Sequence, residues 1–314
     1  PDLLDRTAQI LTYPQYWGHR LTGNAACDVT SLGCHTDLWC PADAQLSNLA
    51  DTLGITDQIA PIRKPSDILG TILPGIAQAT GLPKETPVVV GIHDSNASLY
   101  PHILQQTGPF SVVSTGTWVI AMSISGNGHP LDPNRDTLIN VDARGQPVPS
   151  ARFMGGREYE RIQCGQPVVP TPDDIDACLS RQLMLLPAVE TGTGPYQGQT
   201  PRWTGTEPAI GSGLREAALS FYLAMMTDTC LRLTGASGPT VVEGPFARNA
   251  AFTSMLAAAS ARPVLHSRSA TGTSIGAALL FGPSDGSSPP EQIADVAHLP
   301  DWRAYAAAWR QQAD

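Results

Sequence analysis

The sequence predicts an α/β fold, and three observations carry the prediction. The last third alternates helical and extended patterns in the order helix, strand, helix, strand, helix. A continuous β-branched run, Pro87-Val88-Val89-Val90-Gly91, stands directly before a helical stretch, as strands buried on both faces of a sheet do. The 314 residues are 42% hydrophobic and only 15% charged, against a usual charged share of about 25%. Such a chain is globular, can bury a real core and, at roughly 150 residues per domain, makes about two domains.

Taken in order, residues 13–21 read as a helix stopped by Leu21-Thr22-Gly23-Asn24. Residues 42–53 predict a second helix, entered by Pro41 and ended by Gly54, and 75–80 a short third one before Gly81-Leu82-Pro83. The strand 87–91 runs into Ile92-His93-Asp94-Ser95-Asn96, and 95–104 reads as a helix bent at Pro101. Asp94 thus projects from the carboxyl end of a central strand, where open α/β sheets place their ligands. A hairpin follows, with strands 110–113 and 117–120 around Ser114-Thr115-Gly116. Residues 125–136 form a polar loop, 147–151 lead into Arg152-Phe153-Met154-Gly155-Gly156, and the Pro/Gly-rich stretch 192–213 is an insertion loop within a lobe. Residues 214–233 place Leu219, Tyr222, Leu223, Met226, Cys230 and Leu233 mostly three or four apart, one long amphipathic helix ending before Gly235. Strand 240–243, helix 249–261, strand 263–266 and helix 274–280 complete the alternation.

Charge narrows the partners. Nineteen Lys and Arg against 28 Asp and Glu give a net charge of −9, which opposes the basic footprint of a phosphate-backbone binder and argues against nucleic acid. A nucleotide is still compatible, because backbone N–H groups alone can build a small phosphate site. No apolar run approaches the roughly 18 residues that cross a bilayer, and Pro1-Asp2-Leu3-Leu4-Asp5 is not a signal peptide. The expectation is a soluble, cytoplasmic protein without a membrane partner. Cys27, Cys34, Cys40, Cys164, Cys178 and Cys230 are expected as reduced buried thiols. The cluster Cys27, Cys34, His35 and Cys40 lacks the short C-x-x-C spacing of structural zinc sites, so no metal ligand is assigned.

Three glycine turns stand after or between strands: Ser114-Thr115-Gly116-Thr117, Met154-Gly155-Gly156 and Glu243-Gly244-Pro245-Phe246. Backbone N–H groups at such turns can cradle phosphate oxygens, with the Thr117 hydroxyl as a further donor, and a carboxylate such as Asp94 can take the proton of an attacking hydroxyl. From the residues alone Asp94 reads first as a helix N-cap, and His93 can be a satisfied core histidine. Likewise Thr117 is equally a hairpin β-former, Trp118 a packing residue and His35 a surface-loop histidine, and Arg157 and Glu158 read as a solvated helix face outside the site.

The chain resembles the FGGY family of carbohydrate kinases. The resemblance rests on Gly91-Ile92-His93-Asp94-Ser95-Asn96-Ala97-Ser98, Val113-Ser114-Thr115-Gly116-Thr117-Trp118 and Arg20-Leu21-Thr22-Gly23 with the downstream residues 28–31. It continues through Glu243-Gly244 to Asn249, Arg262-Pro263-Val264 and the GAALL stretch within 272–280. It implies the actin-like ATPase (ribonuclease H-like) fold in two lobes with the cleft between them: residues 1–106, the sugar side with the catalytic Asp, and 107–314, the nucleotide side. It further implies Asp94 as general base, His93 and Ser95 near the sugar, Gly116 and Thr117 on the transferring phosphate, Gly155 beside the nucleotide, and Gly244 and Asn249 bordering the adenosine. ATP and Mg²⁺ are the implied cofactors and a small-molecule sugar the partner, a ketose or deoxyketose such as rhamnulose or fuculose; a homodimer is left open. His35 is a further residue that could face the sugar. Two departures qualify this. Pro245 stands where the family has a further glycine and offers no N–H, and the family's initial strand and DxGT-type turn have no counterpart here. The first lobe is therefore expected to be incomplete and the chain, which lacks an initiator Met, to begin inside a longer protein. A non-catalytic nucleotide-binding or regulatory protein on the same scaffold is the alternative.

Overall fold

The computed structural model describes residues 3–126, 130–267, 272–282, 290–294 and 300–314. Its elements are α1 (Tyr13–Thr22), β1 (Cys27–Asp28), α2 (Val29–His35), β2 (Trp39–Cys40), β3 (Gln45–Leu46), α3 (Asn48–Thr52), β4 (Ile62–Arg63), β5 (Ile68–Thr71), α4 (Pro74–Thr80), β6 (Pro87–Val89) and α5 (Asp94–Gln105). There follow β7 (Phe110–Thr115), β8 (Val119–Ile124), β9 (Thr137–Val141), β10 (Pro147–Phe153), α6 (Gly155–Gln163), α7 (Pro172–Ser180), β11 (Leu185–Leu186), β12 (Arg202–Trp203) and α8 (Gly213–Leu233). The chain ends with β13 (Thr240–Glu243), α9 (Ala250–Ser260), β14 (Val264–His266), α10 (Gly272–Ala278), β15 (Glu291–Ala294) and α11 (Pro300–Ala313). Two compact units result: Pro1–Gln106 with Ile139–Val148 and Thr271–Ser287, and Thr107–Leu138 with Pro149–Ala270 and Ser288–Asp314.

In the first unit, β1 pairs in parallel with β4, while β2 with β3 and β5 with β6 form antiparallel pairs. Two expectations change here. The β2–β3 pairing takes Gln45 and Leu46 out of the expected helix 42–53, which shrinks to α3 behind Ser47. β6 pairs only with β5 among the described residues, and Val88 and Val89 are half-buried here rather than covered on both faces. What fixes its end is Gln15, fully buried in α1, whose amide donates to Val90 O at 3.3 Å and Gly91 O at 3.2 Å. These bonds satisfy carbonyls that no strand among the described residues takes up.

α5 runs through Pro101. Proline has no N–H for the carbonyl four residues back, which is Ala97 O, and Gly276 of α10 lies against that same carbonyl; a Cβ at Gly276 would overlap it. The missing donor on one helix and the missing side chain on the other let the two approach, joined also by Ser98 Oγ and Thr273 Oγ1 at 2.8 Å.

The second unit holds most of a seven-stranded mixed sheet in the order β15-β14-β13-β7-β8-β10-β9. β7, β13 and β14 run parallel, and β8 and β15 antiparallel to their neighbours. β7 runs on through Thr115, and β8 starts at Val119 rather than at residue 117 and continues to Ile124, which moves the turn to 116–118. α8 is buried on every side from Arg215 to Leu231 rather than amphipathic, a core helix that also carries buried polar residues such as Arg215, Glu216 and Asp228. α11 closes this core with Tyr305 and Trp309, donating to Leu183 O and Leu185 O at 2.9 and 2.8 Å. No disulfide links the cysteines; Cys27, Cys178 and Cys230 are buried as expected, whereas Cys34 and Cys40 are half-buried and Cys164 is exposed.

Gly276→Ala should lower stability by about 1–3 kcal/mol, the cost of overpacking a close backbone contact, read as a shift in urea midpoint at unchanged slope. An unchanged midpoint would mean that α10 does not sit on α5 in this way.

Candidate active site

The first unit holds Asp94, His93 and Ser95 together. His93 is the extended residue preceding α5 and Asp94 the first residue within it. Asp94 Oδ1 accepts from Ser95 N at 2.6 Å and lies 3.2 Å from His93 Nδ1. The Asp94 side chain is 75% exposed. It is not the N-cap of α5: that position belongs to His93, and no side chain caps the helix there. The carboxylate is thus left facing outward.

Behind it stands a residue that the sequence reading passed over in this role. Asp28 is fully buried and accepts from Thr30 N at 2.9 Å, Ser31 N at 3.1 Å and the Thr30 hydroxyl. Burial pushes its carboxyl up, and the donors of Ser31 and Thr30 pull it back. Thr30 Oγ1 in turn accepts from His93 N at 3.0 Å. One buried carboxylate therefore caps α2 and, through one hydroxyl, anchors the entry to α5. An Asp-x-Thr-Ser stretch after a strand was the available signal, since this is an N-cap pattern.

His93 and Asp94 line a cavity of about 630 Å³ with Ile10, Leu11, Trp17, Leu32 and Ile92 among its apolar walls. Its polar points include Thr12, Thr273 and Ser31. The side chain of His35 lies outside the described residues.

In the second unit the glycine turns pack on one another. Gly116 N donates to Trp118 O at 2.9 Å, closing the hairpin and leaving exposed Thr117 at its tip. Gly156 N donates to Thr117 O at 3.2 Å, and a Cβ at Gly156 would overlap Gly116 O. Gly155 is equally confined, with Val119 Cγ2 2.5 Å from where its Cβ would be. Gly244 has φ 82°, and a Cβ there would overlap Thr115 O. The buried Thr115 hydroxyl donates to Glu243 O and accepts from Phe246 N at 3.2 Å. Thr115 joins two of the three turns, a role missed because a threonine ending a strand looks like an ordinary β-former. Trp118 packs beneath Arg152, whose guanidinium carbon is 4.9 Å from the ring centroid.

Asn249 spends both ends of its amide, Oδ1 accepting from Phe252 N at 3.0 Å as the cap of α9 and Nδ2 donating to Ser220 Oγ at 2.8 Å. It also borders, with Pro245, a cavity of about 320 Å³ walled by Val168, Pro170 and Ile175 and carrying Glu216 and Arg248.

Glu158 overturns its expected place on a solvated face. It is fully buried, accepting from Tyr222 Oη at 2.8 Å and Glu190 N at 3.2 Å. Burial pushes its carboxyl up to about 7, against the pull of the Tyr222 hydroxyl. Arg157, as expected, is exposed, yet it pairs with Glu190 at 3.1 Å.

These two units have counterparts among solved sugar kinases. A carbohydrate kinase from Novosphingobium aromaticivorans is 35% identical, with a TM-score of 0.89 over 100% of this chain and 71% of that one. A xylulose kinase from Rhodospirillum rubrum shares the fold at 17% identity, with a TM-score of 0.70 over 97% of this chain and 65% of that one. The fold is thus the α/β fold of the actin-like ATPases. Residues 107–290 match the C-terminal domain of carbohydrate kinase FGGY, and residues 1–100 the N-terminal domain of the FGGY family; the chain belongs to the FGGY family of carbohydrate kinases. L-fuculokinase of Escherichia coli (strain K12) is 30% identical over 123 residues, a match spanning 39% of this chain and only 26% of that protein.

Because Glu158 takes up its proton more readily folded than unfolded, its contribution is full below the unfolded value near 4.5 and is lost as pH rises through about 7. Wild-type stability should therefore fall relative to Glu158→Gln by up to roughly 3 kcal/mol between pH 5 and pH 8. Urea unfolding of both proteins at the two pH values checks this, and a constant difference would contradict it.

Proposed function

We propose that this chain carries out ATP-dependent phosphorylation of a sugar hydroxyl, with residues 1–106 as the sugar side and 107–314 as the nucleotide side. The observation that carries the reading is the outward-facing Asp94 carboxylate, anchored from behind through His93 N, Thr30 and buried Asp28, on a cavity of sugar size. In the reaction the sugar hydroxyl oxygen bonds to the γ-phosphorus, the bond from that phosphorus to the bridging oxygen breaks to release ADP, and the hydroxyl proton passes to Asp94. His93 and Ser95 flank the carboxylate and orient it.

On the nucleotide side, Thr117 offers its hydroxyl and N–H at the hairpin tip, while Gly116, Gly155 and Gly244 keep the surrounding backbone bare of side chains, which suits close approach of phosphate oxygens. The cavity beside Pro245 and Asn249 suits an adenine base; Asn249 serves there as wall and cap. Among the described residues no three His, Cys, Asp or Glu side chains converge as a metal site. A magnesium ion, which usually rides on substrate phosphates and water, would lower the charge of the transferring group, and no residue here is assigned to it.

The substrate we favour is a deoxyketose. The apolar walls formed by Ile10, Leu11, Trp17 and Ile92 fit a methyl-bearing sugar better than a fully hydroxylated one, and the similarity to an L-fuculokinase points the same way.

The test is ADP release from ATP·Mg²⁺ over a panel of ketoses, deoxyketoses, aldoses and polyols. Sugar-dependent turnover is expected, highest with a deoxyketose, and reduced in Asp94→Asn by about 10²–10⁴-fold. Nucleotide binding without turnover on any sugar would instead favour the non-catalytic reading. Thr30→Val should lower kcat by roughly tenfold or more through misplacement of Asp94, with Thr30→Ser restoring most of it. Equal losses in both variants would remove the hydroxyl relay from the argument.

A further inference from the structure

We propose that the second unit carries a separate binding site for a small phosphate monoester of sugar-phosphate size, in the cavity where Arg135, Arg232 and Arg310 converge. The cavity holds about 440 Å³. The three arginines come from separate elements: the turn at 133–135, the last turn of α8, and α11. In a chain of net charge −9 such a meeting of guanidinium groups calls for an account.

Their existing bonds do not use them up. Arg135 donates from Nε to Pro195 O at 2.9 Å, and its guanidinium carbon stands 5.5 Å from the centre of the Tyr196 ring. This holds the guanidinium in place while its terminal N–H groups have no acceptor among the described residues. Arg232 is exposed and has no hydrogen-bond or ion-pair partner among them. Arg310 is committed elsewhere, donating to buried Asp228 Oδ2 at 2.8 Å and Ala259 O at 2.6 Å. Two guanidinium groups are therefore available, one preset by stacking, and paired planar donors suit a phosphate dianion.

The plain alternative is that these arginines serve the carboxyl ends of α8 and α11, where cations are favourable. Those ends are already bonded. Thr234, Ala236 and Gly235 N–H groups take Cys230 O, Leu231 O and Arg232 O, while Arg202 and Gln199 take Gln312 O and Ala313 O at 2.7 and 3.1 Å. Among the described residues the charged side chains at or directly behind the cavity are three arginines and two carboxylates, Asp228 behind Arg310 and Asp314, which lies 3.4 Å from Tyr196 Oη. The Asp314 side chain is the one that opposes an anion. The hydroxyls of Tyr196 and Thr229 supply polar contacts for the rest of a sugar phosphate.

Calorimetric titration of the whole chain with fructose 1-phosphate and with inorganic phosphate tests the assignment. Fructose 1-phosphate is expected to bind more tightly than phosphate, roughly tenfold more weakly in Arg232→Gln, and more tightly in Asp314→Asn, which removes the opposing charge. The exposed Arg232 side chain makes no hydrogen bond or ion pair among the described residues, so its replacement is expected to leave the fold intact. Binding unchanged in both variants would belong to the glycine turns and would overturn the proposal, as would absence of binding at millimolar ligand or weaker binding in Asp314→Asn. Equal affinity for inorganic phosphate would overturn the sugar-phosphate assignment.

Discussion

A carboxylate buried without a cation must be met by hydrogen-bond donors or it cannot stay buried, and in the first unit Asp28 imposes that requirement on its surroundings. Its oxygens take the N–H groups of Thr30 and Ser31 and the Thr30 hydroxyl, which fixes how α2 leaves β1. The same hydroxyl has a lone pair left over and takes His93 N. The start of α5, and with it the direction in which Asp94 leaves the backbone, follows from satisfying one charge. Such an arrangement costs desolvation and yields position.

The second unit reaches a comparable end by leaving atoms out. Gly156 meets the Gly116 carbonyl and Gly244 the Thr115 carbonyl at separations that exclude any side chain, so three turns distant in sequence share one small volume of backbone. Thr115 supplies the hydroxyl that bonds across it. Pro101 and Gly276 repeat the device in the first unit, one lacking an N–H and the other a Cβ. Glycine and proline act here as partners across a contact, which a reading along the chain sees only as separate punctuation.

That difference explains what was legible. The alternation α8, β13, α9, β14, α10 is legible because apolar runs there are separated by glycine, proline and polar turn residues. Asp94 and Thr117, the side chains proposed to carry chemistry, are legible by residue type and setting, and both are exposed. The residues that hold them, Asp28, Thr30 and Thr115, are buried; Asp28 bonds locally in an N-cap pattern, whereas the bonds of Thr30 to His93 and of Thr115 to Glu243 and Phe246 cross long sequence separations, which no local pattern reports. Glu158 failed for a related reason: beside Arg157 it looks like one more charge on a wet helix, and only the packing of α6 on α8 places it against Tyr222. The helix expected at 42–53 failed because pairing of β2 with β3 outweighed propensity there.

The departure at Gly244-Pro245-Phe246 has a physical reading of its own. Pro245 opens the turn Pro245–Arg248, a position where an N–H would lack an intrahelical partner in any case. The next N–H, of Phe246, is spent on Thr115 Oγ1. The turn is therefore poor in donors for a ligand and rich in internal bonds that hold its shape. Recognition of a nucleotide base there would rest on the apolar walls of the adjoining cavity, with Val168, Pro170 and Ile175 opposite Pro245 and Asn249, rather than on backbone hydrogen bonds. Hydrophobic enclosure of this kind fixes where a flat ring lies while discriminating weakly among rings. Selectivity for adenine would then fall to the polar groups at that cavity, Glu216 and Arg248. Of these, Glu216 is already held by the Tyr159 hydroxyl at 2.7 Å, which leaves Arg248 as the side chain with freedom to adapt.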